Sequence, residues 1–134
     1  MERCLADTDL LIDHLRGYAE AQRFLSEAAG GKYVIHYSVV TKAEVLAGMR
    51  NGEEEGVNLL FRGMNEVPVD GLVAEMAGDY MRRYRRSHGL LLPDALVAAC
   101  AKRIDAALVT LNKKHYPMTD LRVLVPYERL PGRK

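Results

Sequence analysis

Residues 3–17 read RCLADTDLLIDHLRG, and within them the pattern changes from a short apolar run, CLA, through the turn DTD to LLIDHL, with Gly17 as a helix stop. That is the signature of a strand running into a helix. Asp7 and Asp9 fall immediately after the strand, at the carboxyl-end position where open α/β sheets build their sites. The same position suits Asp as a helix N-cap, so one acid can cap while the other faces a ligand.

Working outward, the alternation continues to the end of the chain. AEAQRFLSEAA (19–29) reads as a helix ended by Gly30 and Gly31, and KYVIHY (32–37) as a second strand. Ser38 then offers an N-cap to VVTKAEVLAGM (39–49), closed by Gly48 or by Asn51-Gly52. EEEGVNLLFRGM (53–64) supplies another helix, and EVPVD (66–70) reads as a strand near a sheet edge, because Pro68 has no amide for a ladder bond. A long helix spans 72–87, and Pro93 suits the first turn of DALVAACAKR (94–103). ALVTL (107–111) and LRVLV (121–125) are the last strands, with NKKHYPM (112–118) as a loop or single turn between them. Strands joined through helices become parallel neighbours with helices on both faces, which makes the chain an α/β protein.

A length of 134 residues suits one domain, taken as 1–134, and VPYERLPGRK (125–134) is the segment most prone to fray, with 127–134 as a flexible tail. With 49% hydrophobic and 28% charged residues the composition is that of an ordinary soluble globule, and no run approaches the ~20 apolar residues of a membrane span. The start MERCLAD has no apolar signal core, so the expected compartment is cytoplasmic, with no membrane contact. Cys4 and Cys100, each among apolar neighbours and without zinc-ligand spacing, read as buried free thiols. A net charge of +1 means that nucleic-acid contact would have to come from a local cluster of bases.

Two further acids draw notice. Glu44 shares a helix face with Val40, Ala47 and Gly48, so it reads as a carboxylate on an apolar surface that needs a cation, a metal or a proton, unless it snorkels to water. Asp94 follows Pro93 in the first turn of its helix, where the macrodipole by itself favours an acid. Hard divalent cations take oxygen ligands and keep several waters, so Asp7, Glu44 and Asp94 suffice for a site if folding gathers them. Basic candidates for RNA are Arg82 and Arg86, one i,i+4 row of MRRYRRSHG, with Lys113 and Lys114 of NKKH; the bland alternative is a solvated helix face. Tyr80 and Tyr84 are expected to pack and not to stack on bases. His14, His36, His88 and His115 form no metal-binding pair.

The segments LADTDLLIDHL, SVVTKAEVLAGM, PDALVAACA and ALVTLNKKHYPM, followed by a closing strand and VPY, together resemble PIN-domain ribonucleases, most of all VapC-type toxins of toxin/antitoxin pairs. The resemblance covers nearly the whole chain. It implies a PIN-like three-layer α/β/α fold with a mostly parallel sheet of four to five strands, and a Mg²⁺- or Mn²⁺-dependent endoribonuclease with catalytic and metal-binding acids at Asp7, Glu44 and Asp94. Asp9 and Thr110 would then orient ligands or water. Asn112 stands where many members carry a fourth acid; lacking charge, it should weaken a second ion. The resemblance also implies an RNA substrate, a cognate antitoxin and a homodimer. Two other readings stay open: a haloacid-dehalogenase-like phosphatase with Asp7 as nucleophile, and a non-cleaving RNA- or protein-binding module on the same fold.

Overall fold

The computed structural model describes residues 2–129. Five strands, β1 (Glu2–Ala6), β2 (Tyr33–Ser38), β3 (Asn65–Val67), β4 (Ala107–Val109) and β5 (Val123–Leu124), form one sheet in the order β3-β2-β1-β4-β5. All four neighbouring pairs are parallel, where the resemblance implied a mostly parallel sheet. Cys4 of β1 sits opposite Ile35 of β2 and Ala107 of β4, so β1 is the central strand. From β1 the chain winds outward through β2 to β3, then returns to β4 on the other flank. This reversal puts the crevice of the sheet at the carboxyl ends of β1 and β4.

Side chains alternate across β1, and the two faces build two cores. Leu5 joins Leu108 and a cluster that includes Val73, Ala77 and Tyr80 of α5 (Gly71–His88) and Val97 to Ala101 of α6 (Leu92–Arg103). Cys4 and Ala6 join the opposite cluster, with Leu10 and Leu11 of α1 (Thr8–Leu15), Ala21 and Leu25 of α2 (Ala19–Glu27), Val45 of α3 (Val39–Ala47) and Val57 and Phe61 of α4 (Glu54–Arg62). A run of buried small residues, Ala98 to Ala101, lets α6 lie close against the sheet and α5. Cys4 and Cys100 are buried free thiols, and Tyr80 and Tyr84 pack against each other and the core beneath α5.

Local chemistry sets the boundaries. Asp7, Ser38 and Asp70 each accept a hydrogen bond from a first-turn amide, of Thr8, Val40 and Val73 respectively, and so start α1, α3 and α5. Gly89 ends α5 in the left-handed conformation at φ 64°. Strands β3 and β4 are shorter than their apolar runs: β3 stops before Pro68, and β4 is assigned only to Val109, although the Thr110 amide still donates to Leu124 of β5 at 3.0 Å while its hydroxyl turns to the acids. Part of the expected tail is tied down, since Tyr127 and Arg129 donate to the buried Asp13 carboxylate at 2.8 and 3.2 Å; the remainder of that tail, 130–134, lies outside the described residues. No helix among the described residues is long and apolar enough to cross a membrane.

Candidate active site

The end of β1 delivers Asp7 into the crevice, and three donors hold it there. Its Oδ1 accepts the Thr8 amide at 2.8 Å, while Oδ2 accepts the hydroxyls of Thr110 and Tyr116, both at 2.8 Å. Only 8% of Asp7 is exposed, so these bonds form away from bulk water, where leaving one unmade is most costly. Thr110 is fully buried just beyond β4, and its oxygen also accepts the Asn112 amide at 3.1 Å. Asn112 thus contributes its backbone to this corner, and its side chain lies on an exposed residue.

Asp9 occupies the same turn on the other side of Thr110. It accepts the amides of Leu10 at 2.7 Å and Leu111 at 3.1 Å, so it ties the start of α1 to the strand end. Burial, and then the neighbouring Asp7 charge, push its carboxyl up to about 6.

Asp94 enters from the first turn of α6. The Tyr116 hydroxyl that donates to Asp7 lies 3.5 Å from Asp94 Oδ1, so one phenol spans two acids separated by 87 positions in the sequence. Burial raises the Asp94 carboxyl, the Asp7 and Glu44 charges raise it further, and His115, 3.8 Å away, works in the opposite direction. Burial also holds the Tyr116 phenol far above its ordinary range, with the three aspartates adding to the effect, so it remains a neutral donor.

Glu44 approaches from α3, where Thr8 donates to its Oε1 at 2.6 Å and lies 3.1 Å from Thr41. The expectation of a carboxylate trapped on an apolar face is corrected here: Glu44, Ala47 and Gly48 are exposed, because α3 turns that face to water at the crevice. Juxtaposition with Thr8 and Asp94, and not burial, places Glu44 at the site.

The donors of Asp7, Glu44 and Asp94 are all carboxylate oxygens and their charges repel, which is the chemistry a hard divalent cation relieves. Among the described residues no three or more Asp, Glu, His or Cys side chains stand close enough together to hold a metal ion by themselves. An open set suits Mg²⁺, which usually binds through one or two carboxylates and keeps much of its water.

The basic candidates divide. Lys113 and Lys114 sit on a 3₁₀ turn, residues Lys113–His115, and line a cavity of about 500 Å³ with Tyr116 and His88. Arg82, 81% exposed along its side chain, pairs with Asp79 at 3.4 Å, and no described contact brings Arg82 or Arg86 to the acids. Sequence reading passed over Thr8 and Tyr116. The quoted segments DTD and KKHYPM contain both, yet their polar partners are 36 and 109 positions away.

The family model of the PIN domain matches residues 4–120. Ribonuclease VapC10 of Mycobacterium tuberculosis is 42% identical over 132 residues, 97% of this chain and 96% of that protein. Ribonuclease VapC1 of Methanocaldococcus jannaschii is 30% identical over 118 residues, 85% of this chain and 79% of that one. Among solved structures, a toxin-antitoxin complex from Klebsiella pneumoniae contains a similar chain, with a TM-score of 0.77 and 26% identity over 94% of this chain and 99% of that one. VapBC2 from Rickettsia felis, solved with a DNA fragment from its promoter, shares the fold at a TM-score of 0.75 and 19% identity, covering 90% of this chain and 96% of that one. With a parallel sheet whose crevice brings Asp7 and Asp94 to one phenol, and relatives that match along nearly its whole length, this chain belongs to the PIN domain family, on the branch that includes the VapC ribonucleases.

Proposed function

We propose that this protein is a divalent-metal-dependent endoribonuclease acting as the toxin of a toxin/antitoxin pair. The observation that carries the reading is the Tyr116 bridge between Asp7 and Asp94, with Glu44 close enough for its charge to raise the Asp94 carboxyl. Asp7, Glu44 and Asp94 would hold Mg²⁺ or Mn²⁺, which when bound supplies Lewis-acid stabilisation of the scissile phosphate and makes water acidic enough to attack it.

The chain's own residues prepare that chemistry. Thr110 and Tyr116 fix the Asp7 carboxylate in one orientation, so no reorganisation is needed when the phosphodiester arrives. Thr8 orients Glu44 from the opposite side. Asp9 and Thr110 serve as positioning residues, and Asn112 acts through its amide on Thr110. Lys113 and Lys114 attract the backbone of the RNA, a role in which charge matters more than direction. The phosphatase reading is disfavoured because it gives no role to Glu44, which Thr8 holds beside the Asp7 turn and whose charge reaches Asp94.

The toxin-antitoxin complex among the similar structures supports a cognate antitoxin as partner; that it covers the acid crevice, and that the protein is a cytoplasmic homodimer, belong to the same proposal. The test is cleavage of single-stranded RNA in Mg²⁺ or Mn²⁺. Wild type should yield 5′-phosphate and 3′-hydroxyl ends, EDTA should abolish the product, and Asp94→Asn and Glu44→Gln should each reduce it at least a hundredfold, about the loss seen when a charge-stabilising group is removed. A folded wild-type protein that binds RNA and leaves it intact in either metal would instead identify a non-cleaving module.

A further inference from the structure

Beside the acids, and on the α1 side of the sheet, lies a cavity of about 420 Å³ bordered by Asp9, Ile12, Asp13, Arg16, Arg50 and Arg129. Its size falls within the range of small-molecule sites and suits one nucleotide. Asp9 belongs to both places, since it shares Thr110 with Asp7 and also forms part of the cavity wall.

The carboxylates around this cavity are engaged inside the protein. Asp13 accepts from Tyr127 through Oδ2 and from Arg129 through Oδ1. Glu53, next to the wall, takes Arg16 on Oε2 and the Arg50 amide on Oε1. Asp9 accepts the two amides of Leu10 and Leu111. Donors, in contrast, are left over. The Arg50 guanidinium makes no hydrogen bond and no ion pair within 4 Å among the described residues, its charge acting only at longer range on Glu53, which already holds Arg16, and the buried Nε of Arg129 has no hydrogen-bond partner among them. Arg16 and Arg129 keep ion pairs with Glu53 and Asp13, so the donors left over are the Arg50 guanidinium and the Arg129 Nε. A wall whose carboxylates are engaged while one guanidinium is left over favours an acceptor-rich anion, and Arg matches phosphate with a planar fork of donors.

We infer that this cavity is a nucleotide subsite for single-stranded RNA, in which Arg50 binds the phosphate next to the one being cleaved. The inference rests on the ribonuclease reading and deepens it. Lys113 and Lys114 flank the acids through Tyr116, whose packing belongs to the opposite core, so the strand would cross the crevice from one helical layer to the other.

The experiment uses the full chain with Asp94→Asn, so that RNA is bound and not consumed. Fluorescence anisotropy with a labelled mixed-sequence RNA octamer in Mg²⁺ compares this parent with added Arg50→Ala, Arg50→Lys or Arg122→Ala. Arg122 is the control because it is exposed and sits by Glu2, at the amino end of the sheet. Arg50→Ala should weaken binding roughly tenfold and lower the slope of log K against log salt by about 0.7, the loss of one phosphate contact. Arg50→Lys should recover part of the affinity, and Arg122→Ala should leave it unchanged. The inference is overturned if the parent binds and Arg50→Ala binds equally well, or if Arg122→Ala loses as much as Arg50→Ala. A parent that binds no RNA, together with a wild type that cuts none, removes the ribonuclease reading and this subsite with it.

Discussion

Asp7 and Glu44 face the same crevice under opposite conditions. Asp7 is buried and held by an amide and two hydroxyls, whereas Glu44 stands exposed with Thr8 alone donating to it among the described residues. The fold has invested rigidity on one side of the centre and left freedom on the other. Asp7 therefore serves as the fixed corner, and its bonding is part of how β1 meets β4 and α1. Glu44 is the exposed arm of the proposed site, and its loss should have little consequence for the fold.

The comparison breaks first on activity. Asp7→Asn and Asp94→Asn should each reduce RNA cleavage by roughly 10²–10³-fold, as expected when a charge-stabilising group at the reacting centre is neutralised. Initial rates at saturating Mg²⁺ measure this, and a loss below tenfold for either would place that acid outside the centre.

Stability sharpens the contrast next. Thr110→Val keeps the shape but strips Asp7 Oδ2 of a buried donor, and should cost roughly 1–3 kcal/mol in urea unfolding. Glu44→Ala, made at the exposed arm, should shift stability by no more than about 0.5 kcal/mol while stopping turnover. Equal costs for the two substitutions would erase the distinction between corner and arm.

Titration gives a smaller effect with a defined sign. Asp9 has a folded pKa of about 6 against an ordinary value of 3.8, so it binds protons more tightly in the folded state. Its contribution to stability is complete below the lower value and fades as pH rises through the upper one. Asp94 acts in the same direction, whereas His14 and His36, held below their ordinary value by burial, act in the opposite one. The readout is therefore the difference between Asp9→Asn and wild type in EDTA: the variant should gain in relative Tm from about pH 4 to about pH 7, and a relative loss over that window contradicts the assignment. The smallest effect belongs to Arg82→Ala, which breaks only an exposed pair with Asp79 and should leave stability within about 0.5 kcal/mol.

Much of the sheet was legible from the sequence because a β-α alternation constrains topology strongly. The turn after β1 was readable for the same reason: a strand end followed by DTD fixes where Asp7 must sit. Glu44 was found from the wrong premise. Its helical neighbours are small and apolar, but the face they share looks into the open crevice, and a helical pattern carries no record of what lies opposite it. Tyr116, Thr8 and the pinning of Tyr127 and Arg129 to Asp13 were not legible at all. Their bonds span 109, 36, 114 and 116 positions, and a polar pair across such distances leaves no periodic trace.

The most direct measurement is isothermal titration of Mn²⁺ into the wild-type, Glu44→Gln and Asp94→Asn proteins, each checked for folding by circular dichroism. If one ion bridges the fixed corner and the arm, wild type should show a binding event that each substitution weakens roughly tenfold or more, since either removes a charged oxygen ligand. Mn²⁺ affinity that is the same in all three proteins would show that these acids do not share an ion.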